Sequence, residues 1–157
     1  MGILGGIFLG LLIDVAVRSN TVIYHVEAKE ATVEPQPVLI EVKIDWTKER
    51  IEEEIRRVFT EMPNTAVAVA KCESGLVANI QSGHTLSYGR EQSFGVFQVH
   101  ARDHQKTAER LGLENYKSDP GDNIALARHI YDSRIAHGGY PFQDWSCYKN
   151  GGYKRFL

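Results

Sequence analysis

Among the ionisable residues of this 157-residue chain, Glu73 has the setting that most suggests chemistry. It follows the run Ala66-Val67-Ala68-Val69-Ala70, separated from it only by Lys71 and Cys72. A helix with that run as its body has no polar face and must be buried on most sides. A carboxylate at its C-terminal end is expected to be disfavoured twice, by desolvation and by the negative end of the helix dipole. Both effects raise a pKa, and a carboxyl group kept protonated near neutral pH is what glycosidic-bond cleavage requires. A glutamate that simply turns outward at the helix end fits its position equally well. His100 and His104 offer a different chemistry, because i, i+4 spacing puts two imidazoles on one helix face, as zinc sites require. Ala101, however, stands where an H-E-x-x-H peptidase keeps its glutamate, and a third ligand would have to be His129 or Asp103. Solvent-facing histidines are the simpler reading.

The elements that must position Glu73 are legible on either side of it. Thr47 is placed to N-cap a helix, with Trp46 and Ile51 forming a hydrophobic staple and Ile51, Ile55, Val58 and Phe59 on one face. Met62-Pro63 ends that helix, Asn64 can cap the next, and Gly75 can close it in a left-handed conformation. Residues 76–94 are loop-like, and 94–99 form a compact apolar turn. A helix is expected over 101–111 with Gly112 at its end. Ser118 or Asp119 then caps a longer helix from Pro120, with Ile124, Ala127, Ile130 or Tyr131, and Ile135 as its buried stripe. Gly138-Gly139 stops it, and Trp145 to Tyr148 starts a last short helix.

The first part of the chain reads differently. Residues 2–13 are an unbroken apolar run, short for a membrane span of about 20 residues. It matches the apolar region of an export signal, so residues 1–18 are expected to be a signal anchor or transmembrane helix. Residues 19–45 are expected to be an extended linker, with Pro35 and Pro37 at its centre. Two short strands are conceivable in it, near Thr21–Val26 and Val38–Ile44, without an obvious partner. Residues 46–157 would then be a single catalytic domain outside the cytoplasm, anchored or secreted. The net charge of −2 is spread without a basic block, which argues against nucleic acid. Cys72 and Cys147, with no C-x-x-C pair, are too few for a metal framework. They allow either one disulfide in an exported domain or two buried thiols.

Four short motifs in order resemble the soluble lytic transglycosylases of the lysozyme-like superfamily. Ala68-Val69-Ala70-Lys71-Cys72-Glu73-Ser74-Gly75 is similar to that family's Glu-Ser pair at the end of a buried helix. Ser93-Phe94-Gly95-Val96-Phe97-Gln98-Val99 is similar to its Ser-x-Gly-(apolar)-(apolar)-Gln-(apolar) turn. Asp119-Pro120 with Asn123-Ile124 looks like its helix start. Tyr148-Lys149-Asn150-Gly151 resembles its terminal Tyr-Asn-x-Gly, with one extra residue between Tyr and Asn. The resemblance covers about Pro63 to Leu157.

It implies a mainly α, two-lobed lysozyme-like fold with a glycan groove between the lobes. Glu73 would be the general acid and base, and Ser74, Ser93, Gln98, Tyr148 and Asn150 would line or support the groove. No metal or organic cofactor is implied. The implied substrate is peptidoglycan, cut between N-acetylmuramic acid and N-acetylglucosamine. Chicken-type lysozymes carry an Asp two residues before the glycine of this turn, whereas Ser93 stands here and Glu91 lies two residues earlier. A single carboxyl group fits the transglycosylase route, which ends in 1,6-anhydromuramyl products. A hydrolytic muramidase using Glu91, or a silent glycan-binding module, are the competing expectations.

Overall fold

The computed structural model describes the backbone of residues 12–18, 21–27, 40–83, 85–86, 89–90 and 92–157, and the side chains of 44–83 and 92–157. The chain divides into two units, Met1–Ile44 and Asp45–Leu157, so the boundary falls one residue before the expected one.

In the first unit the described residues are strands. β1 (Leu12–Arg18) pairs antiparallel with β2 (Thr21–Glu27), and β2 pairs antiparallel with β3 (Ile40–Lys43). The expected anchor helix over 1–18 is therefore corrected for residues 12–18, whereas the two short strands conceived within the linker, near Thr21–Val26 and Val38–Ile44, are present as β2 and β3, each with an antiparallel partner. The physical reason is composition: Ile13, Val15 and Val17 face a partner strand holding Val22, Ile23 and Val26, and β-branched residues favour a pleated ladder over a helix. Among the described residues no helix is long and apolar enough to cross a membrane. Residues 1–11, Pro35 and Pro37 lie outside the described residues.

The second unit is mainly helical. α1 (Lys48–Val58) starts from Thr47, whose hydroxyl accepts from the Arg50 N–H at 3.3 Å. Ile51, Ile55 and Phe59 are buried, and Trp46 packs against the same core. α2 (Pro63–Ser74) has Pro63 in its first turn and ends at Gly75, φ 65°. Asn64 does not cap it; the Asn64 side-chain oxygen instead accepts from Arg56 Nη1 at 2.6 Å. Residues 66–70 are wholly buried, as an all-apolar helix body requires.

Two pairs of two-residue strands shape the next segment. β4 (Thr85–Leu86) pairs with β5 (Gly89–Arg90), and β6 (Ser93–Phe94) pairs with β7 (Val99–His100) across the turn 95–98. α3 (Ala101–Leu111) ends at Gly112, φ 70°. α4 (Pro120–Ala136) is capped by Asp119, whose Oδ1 accepts from the Asp122 N–H at 2.9 Å. Its stripe of Ile124, Ala127, Ile130 and Tyr131 is buried, but Ile135 is exposed, beyond the reach of the core. α5 (Ser146–Lys149) and a 3-10 turn (Gly152–Phe156) finish the chain, both packed against α2. Arg128 of α4 holds the α1–α2 connection through the Val58 carbonyl and the Glu61 carboxylate.

Candidate active site

Glu73 stands half-buried one residue before the end of α2, on the wall of a cleft of about 890 Å3. That volume is within the range of small-ligand sites. Its Oε1 accepts the backbone N–H of Cys147 at 3.0 Å and lies 3.4 Å from the Ser146 hydroxyl. The helix that carries the acid is thus met by the first turn of α5, and the two are also joined covalently. Cys72 and Cys147 form a disulfide with a Cα–Cα separation of 6.0 Å. The open choice between a disulfide and two thiols is resolved in favour of the bond.

The turn over 95–98 forms the neighbouring part of the cleft, and three buried side chains fix it. Ser74 donates to the Val96 carbonyl at 2.7 Å, with the Ala70 carbonyl at 3.1 Å. Trp145 Nε1 donates to the Phe97 carbonyl at 2.7 Å. Asn123, fully buried on α4, accepts from the Phe97 N–H at 2.8 Å and donates to the Phe94 and Tyr116 carbonyls, both at 2.9 Å. Gly95 is required here. Its φ is 72°, and a Cβ at this position would stand 2.4 Å from Asn123 Nδ2. These bonds explain why Glu-Ser, the glycine turn and Asn123-Ile124 occur together in one chain: they are parts of one clamp.

The six residues expected at the site separate into two groups. Glu73, Ser93 and Gln98 come together on the cleft wall. Gln98 also bridges the loop, its Nε2 donating to the Ile80 and Gly95 carbonyls at 3.1 and 2.9 Å. Ser74, Tyr148 and Asn150 are not among the cleft-lining residues. Ser74 is buried beneath the wall as a tie between α2 and the turn. Tyr148 stacks on Tyr153 at 4.9 Å and packs on Phe142, so its neighbour Cys147, through its main chain, is what reaches the acid. Asn150 accepts from the Gly152 N–H at 2.8 Å and shapes the turn after α5.

A second polar group lies in the cleft: His100 at the end of β7, Asp103 and His104 of α3, Arg134 of α4 and Asp144 all line it. Sequence reasoning weighed His100, His104 and Asp103 only as metal ligands and missed Arg134 and Asp144. Arg134 grips both oxygens of Asp144, at 2.6 and 2.8 Å, and His100 lies 3.1 Å from Asp103. Burial pushes the His104 imidazole pKa below its ordinary value, against the opposing pull of Asp103 and Asp144. The two histidines thus meet at the cleft, but not on one helix face as their spacing implied, because His100 ends β7 in extended backbone and only His104 lies on α3. Among the described residues no group of three His, Cys, Asp or Glu side chains is placed to hold a metal ion. Ser146 was also missed, although it lies within the terminal segment, Trp145 to Gly152, that carries the resemblance. The Glu91 side chain lies outside the described residues.

Compared with protein-family models, with characterised proteins and with solved structures, the chain matches none of them.

Proposed function

We propose that this chain is an extracytoplasmic peptidoglycan lytic transglycosylase with a lysozyme-like catalytic domain and Glu73 as its acid and base. The observation that carries the reading is the convergence on one cleft of Glu73 with Ser93 and Gln98, which lie up to 25 residues from it in sequence and belong to a second motif. The disulfide supports export, since such bonds persist in oxidising compartments.

In this reading a glycan strand lies in the cleft with a muramic acid–glucosamine bond beside Glu73. The carboxyl group protonates the departing glycosidic oxygen, and positive charge develops at C1 of the muramyl sugar. The carboxylate left behind then takes the proton of that sugar's own 6-hydroxyl, whose oxygen bonds to C1. The product is a 1,6-anhydro ring, no water is consumed, and Glu73 is again protonated. The Cys147 N–H fixes one carboxyl oxygen throughout, which serves the orientation that acid–base catalysis needs.

A hydrolytic muramidase is the second reading, favoured by the other cleft carboxylates, Asp103 and Asp144. The deciding experiment is mass analysis of what the purified protein releases from peptidoglycan, with Glu73→Gln as control. The expected products are 1,6-anhydromuramyl ends, with turnover of the variant down about 100- to 10,000-fold. Reducing-end muramic acid would establish the hydrolase instead. Binding without cleavage would leave a glycan-binding module, and a fully active Glu73→Gln would remove this residue from the mechanism.

A further inference from the structure

Resting on the reading of Glu73 as the acid, we propose that the Cys72–Cys147 disulfide is a positioning device for that carboxylate, so that only the oxidised protein is fully active. The bond joins the residue immediately before Glu73 to the residue whose N–H the Glu73 carboxylate accepts. The acid and its main-chain donor are thus held on both sides of a single cross-link. Within the ring closed by this bond and the hydrogen bond lie only the two half-cystines and Glu73 itself. A disulfide elsewhere in the domain would raise stability by restricting the unfolded chain, without bearing on any one catalytic atom.

Two further features place the bond in the catalytic wall. Both half-cystines line the cleft beside Glu73 and Ser146. The chain beyond α5 also makes room for the sulfur: a Cβ on Gly152 would stand 3.3 Å from Cys72 Sγ and 3.0 Å from Asn150 Oδ1. α5 is only four residues long, too short to hold its own position. Its first turn is set by Trp145, anchored on the Phe97 carbonyl, and by the disulfide. Cutting the bond removes the constraint nearest position 147. A misplacement of about 1 Å is enough to cost a catalyst up to about 100-fold.

The reduction is balanced with a dithiol such as dithiothreitol. It supplies two electrons and two protons, the S–S bond breaks into two thiols, and the reductant closes to its cyclic disulfide. The test compares the full chain oxidised, reduced, and as the Cys72→Ser/Cys147→Ser double variant. The expected result is a kcat on peptidoglycan lowered about 10- to 100-fold, with KM within about threefold. Reoxidation restores the reduced wild type, and the double variant ignores the reductant. Independently of substrate, the amide at position 147 exchanges its hydrogen at least about tenfold faster, while α4 keeps its protection. A double variant with wild-type kcat, or unchanged exchange at position 147, would overturn the proposal. So would a loss of protection across α4, which would make the bond a general stabiliser. If the oxidised protein cleaves nothing while exchange at position 147 still rises, the functional reading fails and the positioning of Glu73 stands.

Discussion

The two polar regions of the cleft are held by different forces. Around Glu73, buried groups fix the wall from beneath, Ser74 and Trp145 on turn carbonyls and Asn123 on three backbone atoms, and a half-buried disulfide ties α2 to α5 at the cleft itself. The region built from α3 and α4 is held by side-chain pairs at the surface. The Arg134 side chain is 48% exposed and Asp103 65% exposed. Buried hydrogen bonds with no water to replace them are costly to break, whereas exposed ion pairs are worth little and re-form easily. The first region therefore suits a reacting group that must stay in place. The second suits recognition of a substrate whose substituents vary. Substitutions should separate the two regions by size of effect.

The largest effect is expected at Asn123. Asn123→Ala leaves the Phe97 N–H and the Phe94 and Tyr116 carbonyls without this partner in a fully buried setting. At about 1 kcal/mol or more for each stranded group, the loss should reach about 3 kcal/mol. Chemical denaturation reads this directly, and turnover should fall as the 95–98 turn relaxes away from α2. A loss under about 1 kcal/mol would mean that the turn is held mainly by Ser74 and Trp145, and the clamp would need to be redrawn.

An intermediate effect is expected from pH, and its sign differs between half-buried His104 and buried Asp122. His104, in the polar region, has a folded pKa pushed below 6.5 by burial. Its contribution is present above the unfolded value of 6.5 and is lost as pH falls through the lower folded value. Asp122, buried in the first turn of α4, behaves oppositely. Burial, then the neighbouring charge of Asp119, raises its pKa from 3.8 to about 6. Its contribution is full below 3.8 and is lost as pH rises through about 6. Asp122→Asn should therefore remove a stability loss between pH 4 and 6 and raise the melting temperature at pH 8 relative to wild type. His104→Gln should remove a loss on the acid side of pH 6.5. Thermal melts across this range check both, and an Asp122→Asn protein less stable than wild type at pH 8 would contradict the assignment.

These regions also differ in how far the sequence revealed them. Caps and stops such as Thr47, Gly75 and Gly112 act within one turn of chain, so residue type alone located them and narrowed the α4 cap to Ser118 or Asp119. The helix ending in Glu73 and the turn ending in Gln98 were legible for the same reason, with Ser93 and Gln98 assigned through the family resemblance. Tyr148 could not be placed from its type. Whether a tyrosine meets the acid or an aromatic cluster depends on how α5 packs, and here Tyr153 and Phe142 hold the ring. His104, Arg134 and Asp144 were illegible because their meeting is tertiary, joining α3, the end of α4 and the loop before α5. Residues 12–18 were misjudged for another reason: they continue the apolar run 2–13, which has no period of its own, so helix and strand cannot be told apart there by pattern.

The smallest effect is expected at Asp144, and it bears on the chemistry as well as on the comparison. Hydrolysis would need a second carboxylate facing Glu73, about 5 Å away for retention or about 6.5 to 9.5 Å for inversion. Asp144 lines the cleft two residues before Ser146, which makes it a candidate the sequence did not suggest. Both of its oxygens, however, accept from Arg134, which offsets the charge and makes the carboxylate a weaker nucleophile or base. As part of an exposed pair, it should contribute no more than about 1 kcal/mol, and less at high salt. Asp144→Asn should accordingly leave turnover within about threefold and still yield 1,6-anhydromuramyl ends. Glu91→Gln, made in parallel, should do the same. A drop of about 100-fold or more in Asp144→Asn, with reducing-end muramic acid from the wild type, would assign hydrolysis to the Glu73–Asp144 pair. In that case Arg134 would have to release its partner when the glycan enters, and the polar region would belong to the reacting machinery rather than to recognition.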